Sequence, residues 1–250
     1  MTIVKHWLLI RGLVREQRHW YEFPEIFSHH FPDTQLSMLD LPGVGTEHQR
    51  SAPLNIGAYV EDFRRRWLGM RDDAAWGLLT ISLGSMIGLR WSADYPDDFK
   101  RHVVINTSAM NLGLPWQRFR PSVLPGLARS AFAGDSIQRE ELILQATSRR
   151  PCKAGIAERS ASFARDAPVK RGAALRQLLA ASLFCVPKNI PVPTFVLCST
   201  LDPMVNVICS RKLAAMQRWP IAEHPWAGHD LPLDDPQWVC EKMQYWLSDA

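Results

Sequence analysis

Residues 76–88, Trp-Gly-Leu-Leu-Thr-Ile-Ser-Leu-Gly-Ser-Met-Ile-Gly, restrict the chain more than any other stretch. An apolar run from Trp76 to Ile81 stops at Ser82. Small residues stand two before and two after the serine, Thr80 and Gly84. Apolar helix formers follow, from Met86 to Trp91. This reads as a buried strand, a sharp turn and a helix, with the serine at the turn. Such a turn exposes a hydroxyl on a strained backbone, and its flanking positions must be small because strand and helix nearly touch there. The usual string is G-x-S-x-G, so Thr80 is a departure that puts a β-branched residue into a crowded place. The plainer alternative is a buried strand that ends in an ordinary Ser-Gly turn.

The rest of the chain repeats the alternation. Strands are expected at Ile3–Ile10, Gln35–Leu39, Trp76–Ile81, Arg101–Ile105, Pro193–Cys198 and Ile221–Pro225. Helices are expected at Trp20–Phe31, Ile56–Met70, Met86–Tyr95, Val207–Arg218 and Trp238–Leu247. Strands alternating with helices imply a mostly parallel sheet of about six strands with helices on both faces. From Asn111 to Lys188 strand signals vanish and helical ones dominate. That block is too long for a loop. It is expected to form a helical cap inserted between the fourth and fifth strands, over the strand ends where open parallel sheets place ligands. The expected division is a core of residues 1–110 and 189–250 and a cap of residues 111–188.

Composition narrows the function by exclusion. No apolar stretch approaches membrane-spanning length, and the residues after Lys5 and His6 lack a secretory pattern, so a cytoplasmic protein is expected. Five widely spaced cysteines, Cys152, Cys185, Cys198, Cys209 and Cys240, suggest reduced packing residues rather than a disulfide framework or a metal motif. The eight histidines include no metal-ligand spacing; His29-His30 reads as an exposed helix end. Nucleic acid is not expected as a partner, because no binding motif accompanies the basic residues.

A serine needs a base within hydrogen-bond reach and a group that orients the base. Two later loops have that character: Cys198-Ser-Thr-Leu-Asp202-Pro-Met-Val205 after the fifth strand, and Trp226-Ala-Gly-His229-Asp-Leu-Pro232 after the sixth. In a parallel sheet both lie at the same edge as Ser82. The order serine, acid, histidine is that of the α/β-hydrolase fold, and the chain resembles that family over nearly all its length. Arg11-Gly12-Leu13-Val14 resembles the family's His-Gly loop, and Asp40-Leu-Pro-Gly-Val-Gly45 its D-L-P-G-x-G stretch. Thr80–Gly84 resembles the nucleophile elbow, Tyr95-Pro96-Asp97 the Y-P-x motif, and Asn106 stands in the strand end that follows. Asp202-Pro-Met-Val205 resembles the acid loop and Gly228-His229 the histidine loop. Small bacterial carboxylesterases with a helical cap look similar.

The resemblance implies roles. Ser82 would attack an acyl carbonyl, His229 would take and return its proton, and Asp202 would orient the histidine. The amides of Leu13 and Leu83 would hold the oxyanion. No metal or cofactor is implied. Arg11 replaces the family's usual histidine, and an arginine at the rim would suit an acidic group. Trp20 and Trp226, near the catalytic edge, are candidate substrate contacts. Asp230 is an alternative acid, although it adjoins His229 and is poorly placed to reach its ring. Ser85 is an alternative nucleophile, but Leu83 and Ile87 would then occupy the small positions. Asp40 is expected to be structural.

Residues 111–188 carry thirteen basic against five acidic side chains, a net of +8, and the remainder nets −4. This is either a solvated arginine-rich surface or a patch that steers an acidic partner, such as an acyl-carrier protein, to the site. The expected function is serine hydrolysis of a small-molecule or carrier-linked acyl ester through an acyl-enzyme. Thioester hydrolysis is close behind, with carbon–carbon cleavage and lactone opening possible on the same triad. The contrasting class is a non-catalytic binding protein on the same fold.

Overall fold

The computed structural model describes residues 3–150 and 155–249; Cys152 and Lys153 lie outside them. Six strands form one sheet in the order β2-β1-β3-β4-β5-β6: β1 (His6–Ile10), β2 (Gln35–Met38), β3 (Trp76–Ile81), β4 (Arg101–Ile105), β5 (Thr194–Ser199) and β6 (Ile221–His224). Every neighbouring pair is parallel. The helices outside the insertion are α1 (Phe23–His30), α2 (Ile56–Leu68), α3 (Leu83–Asp94) and, after β5, α9 (Ile208–Gln217), α10 (Leu231–Asp234) and α11 (Pro236–Asp249). Between β4 and β5 run α4 (Pro115–Arg118), α5 (Leu124–Phe132), α6 (Ser136–Thr147), α7 (Ile156–Asp166) and α8 (Arg171–Ser182). Among the described residues of this insertion there is no strand, as the sequence implied.

Side chains alternate across the sheet, and each set has its own core. Leu8, Ile10, Leu78, Val104 and Val196 meet Phe63 and Trp67 of α2, Ile87 and Trp91 of α3, and Leu213 of α9. Trp7, Leu9, Leu79, Ile81, Val103, Phe195 and Leu197 face the other way, onto Phe23 and Phe27 of α1 and Val239 and Met243 of α11. These strands are buried on both sides, which explains why they read as unbroken apolar runs. Among the described residues no helix is long and apolar enough to cross a membrane.

Three local expectations are corrected. The first strand begins at His6, and Ile3 is exposed. The helix expected over Trp20–Phe31 is interrupted: Gln17–Trp20 forms a 3-10 turn, Tyr21 has φ +47°, and α1 starts at Phe23 with Pro24 in its first turn, where proline is tolerated. Cys185 is exposed, whereas Cys198, Cys209 and Cys240 are buried in packing positions.

Candidate active site

The parallel sheet brings the C-terminal ends of β1, β3, β4, β5 and β6 to one edge, and each hands a short loop to the same place. After β3 the chain turns through Ser82 (φ +57°, ψ −118°) straight into α3. The Ser82 amide donates to Ile105 O at 2.9 Å, and Thr107 Oγ1 donates to Ser82 O at 3.0 Å, so both main-chain groups are tied to the end of β4. Positive φ at a residue with a side chain persists only where the surroundings over-determine it. Gly84 is required on steric grounds: a Cβ there would lie 2.5 Å from the carbonyl oxygens of both Ile10 and Arg11.

Thr80, the departure from glycine, is accommodated one helical turn further on. Gly88 of α3 faces it, and a Cβ there would meet Thr80 Cγ2 at 3.0 Å and His102 Nε2 at 2.6 Å. Thr80 Oγ1 lies 2.9 Å from His102 Nε2 and 3.0 Å from Ser85 Oγ. The cluster is fully buried, and burial pushes the His102 pKa down to about 3, so the ring is neutral. Ser85 is also bonded to Ile105 O and N at 3.3 Å. It belongs to the internal support of the turn and has no exposed hydroxyl.

His229 follows β6. Its Nδ1 lies 2.8 Å from Asp202 Oδ2, and its Nε2 lies 3.0 Å from Ser82 Oγ. A carboxylate only accepts, so Nδ1 carries the hydrogen and the neutral ring leaves Nε2 to accept from the Ser82 hydroxyl. The second Asp202 oxygen accepts from Met204 N at 2.7 Å and Val205 N at 2.9 Å. Burial pulls the His229 pKa down, the Asp202 carboxylate more than offsets it, and the net direction is upward.

Two residues to which the sequence assigns no role fix the histidine loop. Asn106, at the end of β4 with φ +43°, donates from Nδ2 to His229 O at 2.8 Å and accepts from Ser199 N at 2.9 Å. Asparagine tolerates positive φ better than most residues, which was the one local clue. Asp234 accepts from Gly228 N at 2.6 Å, from Arg149 N at 2.7 Å and from Ser148 Oγ at 2.5 Å. Burial pushes its carboxyl above the usual carboxylate range despite these donors. The Asp230 amide donates to Thr147 O at 2.9 Å, so the histidine loop is docked against the end of α6.

Arg11, expected at the rim, is buried. Its two terminal nitrogens donate to Asp230 at 3.0 and 2.6 Å, and its guanidinium lies 4.9 Å from the Trp20 ring centroid. Asp230 is thus occupied by Arg11, and Asp202 is the carboxylate on the histidine ring. Trp20 is buried against Phe23 in the α1–α11 core, and Trp226 packs edge-on against His224 with its outer part exposed. Neither lines the cavity beside Ser82. The Arg11–Asp230 pair ties the loop after β1 to the loop after β6. Replacing one partner, as in Arg11→Met or Asp230→Leu, should cost about 3–5 kcal/mol by stranding a buried charge. At roughly 2–4 °C per kcal/mol for a chain of this size, Tm should fall by roughly 6–20 °C. The double variant should recover much of that loss. Thermal unfolding of the three variants tests this, and unchanged single variants would refute it.

The cavity at Ser82 has a volume of about 250 Å³ and is walled by Leu13, Leu83, Met86, Phe119, Leu178, Met204 and Val205, with His229 and Asn106 at its polar end. Leu13 and Leu83 lie beside the serine, and among the described residues their amides have no hydrogen-bond acceptor. A Cβ on Gly12 would sit 3.0 Å from Ser82 Cβ, a measure of how closely the β1 loop passes the hydroxyl. Among the described residues no group of three or more His, Cys, Asp or Glu is placed to hold a metal ion.

Residues 7–242 match the family described as the alpha/beta hydrolase family. The chain belongs to that family. Its fold is shared with esterase RhEst1 from Rhodococcus sp. ECU1013, with a TM-score of 0.76 and 17% identity over 98% of this chain and 90% of that one. A thermophilic esterase from Thermogutta terrifontis is similar at a TM-score of 0.74 and 17% identity, over 100% and 91% of the two chains. A serine hydrolase involved in carbazole degradation, the CarC enzyme, is similar at 0.74 and 16%, over 100% and 93%. At such identities the likeness carries the fold alone. No curated protein matches in sequence.

Proposed function

We propose that the chain is a serine hydrolase that cleaves a carboxylic ester through an acyl-enzyme intermediate. The observation that carries this reading is the hydrogen-bond relay from Ser82 Oγ through His229 to Asp202, at 3.0 and 2.8 Å, set on a positive-φ turn. In this reading Ser82 attacks the acyl carbonyl while His229 Nε2 takes its proton. The tetrahedral intermediate places its negative oxygen on the amides of Leu13 and Leu83. Collapse expels the alkoxide, which His229 protonates, and water then repeats the sequence on the acyl-enzyme. Asp202 holds the tautomer and stabilises the imidazolium.

Residues 111–188 act as the cap in this reading. Pro115, Arg118, Phe119, Leu178, Ala181 and Ser182 supply one side of the Ser82 cavity. A cavity of about 250 Å³ falls below the usual range for drug-sized ligands, so a short acyl chain is expected. A p-nitrophenyl ester series from acetate to laurate tests the proposal. The expected result is hydrolysis with its optimum at the short end, and a fluorophosphonate probe labelling the folded protein. Neither hydrolysis nor labelling by folded protein would favour the non-catalytic binding reading.

The second reading, a thioesterase, draws on the charge asymmetry. The +8 on residues 111–188 suits an acidic carrier such as an acyl-carrier protein, or coenzyme A. Several of these arginines have other work. Arg118 donates to Ser182 O and Ala181 O, Arg176 to Ala52 O, and Arg159 to Glu22. The ester is therefore preferred, and acyl thioesters belong in the same series as the comparison.

A further inference from the structure

The loop that carries the Leu13 amide is strained; one side chain of the helical insertion holds its main chain, and a second, Glu140 of α6, accepts from the Arg15 side chain at 2.7 Å. Arg15 N closes a tight turn on Gly12 O at 3.3 Å, and Val14, third in that turn, has φ +52°. Glycine takes that conformation freely, whereas for a β-branched residue it is an outlier that the surroundings must impose. The Val14 amide donates to Gln177 Oε1 at 3.0 Å. Among the described residues, no other side chain is hydrogen-bonded to a main-chain group of residues 12–15.

Gln177 is well placed to impose a geometry. It is 0% exposed, between Ala173 and Ala180 on the inward face of α8. Its Nε2 donates to Pro42 O at 3.4 Å, so the two ends of its amide are fixed in opposite roles and the group has one orientation. Gln177 also stands between two cavities. Ala174 and Leu175, before it on α8, line a cavity of about 590 Å³ together with Val14; Leu178 and Ala181, after it, line the Ser82 cavity together with Leu13.

We propose that Gln177 is a positioning residue for the oxyanion-binding loop. By holding the Val14 amide it keeps Val14 at positive φ, and it keeps the Leu13 N–H turned towards the place where the acyl oxygen becomes negative. Without the acceptor, the turn relaxes towards negative φ at Val14 and the donor beside it drifts. The inference rests on the serine-hydrolase reading and adds to it a part for α8: the helical insertion supplies catalytic geometry as well as a wall.

The test is Gln177→Leu, which fills the buried position with an apolar side chain and removes the acceptor, together with the weaker donor to Pro42 O. With the best p-nitrophenyl ester, kcat should fall by about 10- to 100-fold, less than the 10²–10³ typical of losing a donor outright. KM should stay within about threefold, because the ground-state carbonyl needs the donor less than the transition state does. Affinity for a trifluoromethyl ketone, which forms a tetrahedral adduct on the serine, should fall by the same factor as kcat. Adding Val14→Gly should restore most of kcat, since glycine adopts positive φ without the steric cost that valine carries. A purely structural glutamine would not be rescued in this way. If Gln177→Leu does not fold, Gln177→Met serves in the same cycle. Wild-type kcat in a folded Gln177 variant, or no recovery with Val14→Gly, overturns the inference. A wild-type protein inactive on every ester and thioester, and unlabelled by the fluorophosphonate, would instead overturn the serine-hydrolase reading.

Discussion

Ser82→Ala is expected to lower kcat for ester hydrolysis on the order of 10⁶-fold, the scale at which removing the nucleophile of a serine triad acts. The alanine keeps the turn. The Ser82 main chain is held by Ile105 O and Thr107 Oγ1, and neither contact involves the lost hydroxyl. Ser82 Oγ bonds only His229 Nε2 among the described residues, so the substitution strands one acceptor at the edge of a cavity where water can reach it. Thermal stability should therefore stay close to that of the wild type. Fluorophosphonate labelling should vanish, while a residual rate above the uncatalysed reaction should survive on the amides of Leu13 and Leu83. Labelling that persists in Ser82→Ala would move the nucleophile elsewhere. Ser85 is a poor replacement, since its hydroxyl is engaged by Thr80 and Ile105.

The fold was legible because its information is local. Each buried strand is a run of apolar residues that needs no partner to be seen, and Ser82, Asp202 and His229 follow strands in an order that a parallel sheet brings to one edge. What could not be read depends on pairs distant in sequence. Thr80 reads as a crowded substitute for glycine; the missing side chain of Gly88 on α3 leaves it room, and its hydroxyl finds a partner in His102 on β4, 22 residues away. Arg11 reads as a cation at a rim because nothing near it in sequence neutralises it; its partner, Asp230, is 219 residues away. Trp20 and Trp226 were placed near the site by their loops, yet a loop position does not say which way a ring points. Gln177 lies in a helix whose apolar residues (Leu175, Leu178, Leu179) are largely exposed and whose buried face is alanine. Hydrophobic periodicity would assign the core to the wrong side of that helix and leave Gln177 in solvent.

The same distant pairs explain how the site is held. The loop after β1 is tied to the histidine loop through Arg11 and Asp230, and to α8 through Val14 and Gln177. The histidine loop is tied to β4 and β5 through Asn106, and to α6 through Asp234 and Thr147. Most of these contacts are buried, so water competes little for them. A site built in this way keeps its distances because several elements share each loop.

Asp202→Asn is expected to lower kcat about 10⁴-fold, the size known for an acid-to-amide change in a triad. The direction of the error can be read from the hydrogen bonds. Asp202 Oδ1 accepts from the amides of Met204 and Val205, so an asparagine must place its oxygen there and its NH2 where Oδ2 now stands. That NH2 would face His229 Nδ1, which must then accept, leaving the ring hydrogen on Nε2. Nε2 could no longer take a proton from Ser82. The pH profile should change as well. In the wild type His229 is held above 6.5, and the proposed mechanism needs its free base, so kcat/KM should rise with pH through an acid limb above that value and be lost as pH falls. Asp202 supplies the main upward influence on His229, against burial, which pulls the other way. With the carboxylate gone, burial prevails, and the acid limb of the residual activity should move to lower pH. Profiles of kcat/KM from pH 4 to 9 for the two proteins would show it. An unmoved limb would assign that ionisation to a group other than His229, and unchanged kcat would remove Asp202 from the relay.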